Sequence, residues 1–144
     1  MLAARQAEFD RFLAERAPAL TKFAAALKLD DPAQIVSAPD RCLPAIDEFV
    51  QEQVVQADDR FWIMAMLGYF IGDVLVQRLD GRWFLNDNPH SANFAHYVVG
   101  EFARVKNPKA NLDPAGVANL LLGEPAGRSL TRIIADAERE LREA

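Results

Sequence analysis

The stretch Phe61–Leu79, FWIMAMLGYFIGDVLVQRL, is the longest apolar run in the chain and contains no proline. It reads as the buried central helix of the fold, with Gly68 and Gly72 on a small-residue stripe and Tyr69 and Asp73 on its most polar face. Its start is expected near Ala57 or Asp58 and its end near Leu79, where Asp80-Gly81 supplies a turn. A membrane span needs about 20 apolar residues. Here Asp73 interrupts the run and Gln77 ends it, so the reading is a buried core helix with no membrane contact. Gly68 and Gly72 lie one turn apart. Each glycine costs up to about 1 kcal/mol of helix propensity, which close packing of another backbone would offset. A strand or a crossing helix is the expected neighbour.

Beyond this helix the periodicity changes. Arg82–Asn86 (RWFLN) and Phe94–Val99 (FAHYVV) read as strands, separated by the turn-forming segment DNPHSAN, and Glu101–Val105 reads as a third strand. Gly100 is expected to break or bulge the sheet. Residues 106–112 read as loop. Asp113-Pro114 and Ser129 are helix starts, followed by apolar residues at helical spacing. Upstream, residues 2–17 and 18–28 read as two helices divided at Pro18. Asp31 is expected to cap a short third helix. Another begins at Asp40, with Leu43, Ile46, Phe49 and Val50 inside and Asp47, Glu48, Gln51 and Glu52 outside. The fold class is therefore α+β: N-terminal helices and a long central helix packed on a small two- to three-stranded antiparallel sheet, then two C-terminal helices. Residues 1–144 read as one domain, with a helical part at 1–56 and the remainder at 57–144.

Composition narrows the function. The formal net charge of −5 argues against a nucleic-acid binder, which normally shows a basic face. The one cysteine, Cys42, excludes an intrachain disulfide and fits a reducing cytoplasm. The N-terminal segment MLAARQAEFDRFLAERA has charges every few residues and does not read as a signal peptide.

Five residues are candidates for a cleft: Asp73, Tyr69, Trp62, His90 and His96. Asp73 shares a helical stripe with Tyr69 and Trp62. It would either line a cleft and bind a donor, or pair at a partly exposed edge with Arg82 or Arg78. His90 and His96 are the only histidines, and their spacing matches no established zinc pattern, so no metal and no cofactor is expected. Ser91 lacks a nucleophile motif, and no catalytic residue is assigned.

The residues Gly68, Gly72, Asp73 and Val74 (G-x-x-x-G-D-V), then Gly81 and Trp83 (G-x-W), then Pro114, Val117, Leu121, Ser129 and Leu130 form a pattern. It resembles a loose group of small bacterial domains of unknown function over about residues 60–140. Such domains often carry glutamate where this chain has Asp73. The resemblance implies helices on a small antiparallel sheet and brings no activity with it. The leading functional expectation is a non-catalytic cytoplasmic accessory or protein-interaction module. Two alternatives stand beside it: an immunity-like or regulatory protein that meets its partner through an acidic face, and a small-molecule or metal-dependent enzyme using Asp73, His90 and His96. The oligomeric state is left open.

Overall fold

The central helix, α4 (Ala57–Leu79), is buried without interruption from Met66 to Leu75. Such a helix needs neighbours on all sides, and the fold supplies them. A computed structural model describes residues 2–52 and 56–144, in the order α1 (Leu2–Ala26), α2 (Gln34–Ser37), α3 (Pro39–Glu52), α4, β1 (Arg82–Leu85), β2 (Tyr97–Gly100), β3 (Asn111–Leu112), α5 (Pro114–Leu122) and α6 (Leu130–Glu143). The junction expected between the N-terminal helices and the central one falls partly at residues 53–55, outside the described residues. Helices α1, α3, α5 and α6 and strands β1 and β2 all contact α4. By length and composition α4 could cross a membrane, but 67% of its most apolar window is buried inside the fold. It is the core helix of an α+β protein.

The two glycines of α4 each face a close neighbour. A Cβ on Gly68 would stand 3.3 Å from the Cα of Ala115, at the start of α5. One on Gly72 would stand 2.1 Å from the indole ring of Trp83, on β1. The expected crossing helix and strand are thus both present. At its C-terminus α4 turns off through Asp80, which takes the left-handed conformation (φ 54°). The N–H groups of Ala103 and Arg104 close onto the carbonyls of Asp80 and Leu79.

The N-terminal half departs from expectation in three places. Helix α1 runs straight through Pro18 instead of breaking there. Its buried residues, Phe9, Leu20, Phe23 and Ala24, lie on both sides of the proline. Packing along that whole length offsets the cost of about 3 kcal/mol that an interior proline carries. Asp31 does not cap α2; its carbonyl accepts from Gln34 N–H in the preceding turn. Asp47 is buried rather than outside. It accepts from the Leu130 backbone N–H at 2.8 Å and from the Thr131 hydroxyl at 2.6 Å. Together with the Ser129 side chain, which accepts from Arg132 N–H, it satisfies the N-terminus of α6.

The sheet is antiparallel in the order β1-β2-β3, with Trp83 opposite Val99, Leu85 opposite Tyr97 and Gly100 opposite Asn111. Strand β2 starts at Tyr97, three residues later than read, because Ala95 sits at φ 65° and turns the chain. Gly100 stays within the ladder. The strand expected at 101–105 does not form: Glu101 takes φ 53° and Phe102 folds back against Gly81. The third strand is instead Asn111–Leu112, in the segment read as loop. Asp113 caps α5 as expected, accepting from Gly116 N–H.

The glycine contacts predict unequal outcomes for the same substitution. Gly72→Ala should lower the unfolding free energy by about 2 kcal/mol or more, since the indole cannot retreat without breaking its own contacts. Gly68→Ala should fall within about 1 kcal/mol of wild type, because the gain in helix propensity offsets a shift of a few tenths of an ångström. Urea denaturation of both variants checks the difference.

Candidate functional site

Between α1, α4, the start of α5 and one end of the sheet lies a cavity of about 440 Å³. Helix α4 supplies its floor through Phe61, Ala65, Gly68 and Tyr69, residues three or four apart on one face. The absent side chain at Gly68 leaves part of the room. Phe12 of α1 is the centre of the aromatic wall. Its ring lies 4.5 Å from Tyr69, 5.3 Å from Trp83 and 4.8 Å from Tyr97, centroid to centroid. Such pairs contribute about 1 kcal/mol each beyond their buried area.

The polar atoms of this wall are turned to protein partners. Tyr69 donates its hydroxyl hydrogen to the Phe12 carbonyl at 2.9 Å. Burial, with Glu15 nearby, pushes the Tyr69 phenol up, so it stays neutral. Trp83 Nε1–H donates to Asp73 Oδ1 at 3.0 Å. The Tyr97 hydroxyl accepts from Arg5 Nη1 at 3.2 Å. The cavity therefore presents mostly carbon. The remaining polar side chains of the lining are Arg5, His96 and Asp113. The Arg5 guanidinium lies 4.3 Å over the Tyr97 ring. His96 Nδ1 stands 3.0 Å from Asp113 Oδ2.

Asp73 does not line the cavity; it supports the wall from behind. It is buried and forms an ion pair with Arg16, while its other oxygen accepts from Trp83. The expected partners are engaged elsewhere: Arg82 with Glu101, and Arg78 with Asp40 and Glu138. Burial pushes the Asp73 carboxyl above the usual carboxylate range, against the pull of the Trp83 and Arg16 bonds. The contacts Phe12–Tyr69 and Arg16–Asp73 advance by one turn on both helices. They fix this part of α1 against α4, while farther along α1 Phe23 packs on Trp62 near the start of α4.

Of the five cleft candidates, Tyr69 and His96 line the cavity together. Asp73 reaches it through Trp83. Trp62 lies elsewhere, half exposed against Phe23 beside Glu15, Pro18 and Lys22. His90 is exposed in the loop before β2, its backbone N–H held by Asn88. Asp73, His90 and His96 thus occupy three different settings, and the acid beside His96 is Asp113. Among the described residues no group of three His, Cys, Asp or Glu could hold a metal ion. The Ser91 hydroxyl accepts from Asn86 and from Asn93 N–H. Arg5, Phe12, Arg16 and Tyr97 have no sequence motif that would have singled them out; Asp113 was legible only as a helix cap.

The buried pair yields a double-mutant test. Arg16→Met leaves the Asp73 carboxylate buried and unpaired, at a cost of about 3 kcal/mol, near the low end for such pairs because Arg16 is partly exposed. Adding Asp73→Asn should restore most of the loss. Sign follows from the raised carboxyl: the folded state of Arg16→Met holds its proton more tightly than the unfolded chain. Stability relative to wild type is then best below the ordinary carboxylate range and falls as pH rises through the folded-state value. Denaturant titrations at a series of pH values would check both.

Compared with protein-family models, with curated proteins and with solved structures, the chain matches none of the three, so the G-x-x-x-G-D-V pattern places it in no family and the site is read from its own geometry.

Proposed function

We propose that the protein is a non-catalytic accessory module that works by binding, and that the aromatic cavity is its binding site. The observation that carries this reading is the state of the cavity wall. Three aromatic residues from three elements bring polar atoms to it, and all three atoms are spent on protein partners. Wall groups so engaged hold a shape well and are poorly placed for proton transfer. A cavity of about 440 Å³ with apolar walls and a few polar groups at one place has the size and character of a small-molecule site. The occupant is a small apolar molecule. A buried lone cysteine fits a reducing compartment, and we place the protein in the cytoplasm on that basis.

A second reading, docking of another protein, is favoured by Phe61 and Leu120, which are 77% and 69% exposed. Phe61 belongs to the cavity lining, and Leu120 stands on α5, whose end is tied to the start of α4 by Arg60.

Titration with the neutral fluorophore N-phenyl-1-naphthylamine tests the cavity reading. Wild type should give a saturable, single-site rise in emission. Ala65→Phe, which fills the cavity, should weaken binding by at least about tenfold while the melting temperature stays within a few degrees. A wild-type protein that shows no saturable emission would remove the reading.

A further inference from the structure

The cavity's polar groups are gathered on one lip, and their hydrogen-bonding capacity is lopsided. Strand β2 and the residue pair before it organise the lip. The Ala95 carbonyl accepts from Arg5 Nε at 3.0 Å, the next residue is His96, and the next, Tyr97, lies beneath the Arg5 guanidinium. Arg5 and His96 are thus held at one place by three consecutive residues. The acceptors there are occupied. Asp113 Oδ1 takes Gly116 N–H at 3.2 Å and its Oδ2 faces His96 Nδ1, while Glu8 Oε2 lies 3.1 Å from Arg5 Nη1. The nitrogens are not. Among the described residues, Arg5 Nη2 and His96 Nε2 have no partner, and both residues reach solvent as well as the cavity.

We propose, resting on the cavity reading, that the ligand is an apolar monocarboxylate. Its aromatic or aliphatic body lies among the Phe12, Tyr69 and Trp83 rings. Its carboxylate accepts from Arg5 Nη2 and, in the imidazolium form, from His96 Nε2–H. Arginine suits this role because its two Nη2 N–H groups stay in a fixed plane while Nε and Nη1 are already tied down. His96 is oriented by Asp113, so its free nitrogen has one direction. Both Asp113 oxygens are engaged, and Glu8, one oxygen of which holds Arg5, is outside the cavity lining, so no carboxylate is left there for an ammonium ligand.

Isothermal titration of the full chain with 2-naphthoate and with its uncharged counterpart 2-naphthalenemethanol tests this. The carboxylate should bind at least about tenfold more tightly. Arg5→Met should erase that preference, with Arg5→Lys retaining part of it. His96→Gln should weaken the carboxylate several-fold more than the alcohol. Thermal melts confirm that each variant folds. Equal affinity for the two compounds, or a preference that survives Arg5→Met in a folded protein, overturns the carboxylate assignment and leaves the cavity reading standing. Binding of neither compound overturns both.

Discussion

The Asp73 carboxylate is the group on which the arrangement depends. An acid placed in the middle of a buried helix must find charge and hydrogen-bond partners, or it destabilises the fold by several kcal/mol. It finds them on two different elements, Arg16 of α1 and Trp83 of β1. The N-terminal helix and the sheet are thereby joined through one side chain. Trp83 can reach Asp73 because Gly72, the preceding residue, leaves the space its ring occupies. One turn earlier, Tyr69 and Phe12 repeat the link between α1 and α4. Gly72, Asp73 and Tyr69 act as a single docking face, and the cavity wall is its by-product.

What the sequence shows plainly is what local chemistry encodes. The bounds of α4 follow from continuous apolarity, and its end from Asp80-Gly81. Asp113 and Ser129 cap the helices that follow them because a cap acts over three residues. The need for a close neighbour at Gly68 and Gly72 was readable, although not which neighbour. The features that went unread are those set by distant partners. Asp47 serves a helix that begins 83 residues later. Arg16 stands 57 residues from Asp73, while Arg78 and Arg82 were nearer in sequence and already matched with other acids. Pro18 passes inside α1 because tertiary packing outweighs a local preference.

The candidate site was half legible for the same reason. Tyr69 and His96 belong to it, His96 as one of the two histidines and Tyr69 from a helical stripe whose polar residues do not all open to one cleft. The stripe is instead divided. Trp62 stays near the surface, Tyr69 faces the cavity and Asp73 is sealed behind it. An aromatic enclosure assembled from α1, α4 and two strands carries no contiguous signature, since each element contributes one or two rings that would serve equally as ordinary core.

Helix α1 carries Arg5, Phe12 and Arg16 on one uninterrupted rod, and this ties two equilibria together. The cavity exists only while α1 lies against α4. Anything bound there therefore adds its free energy to the docking of the N-terminal helix, and anything that loosens that docking subtracts from affinity. A change at Arg16 or Asp73 would be felt by the occupant without either residue touching it. The ion pair sets, at a distance of one indole ring, how often the site is there to be filled.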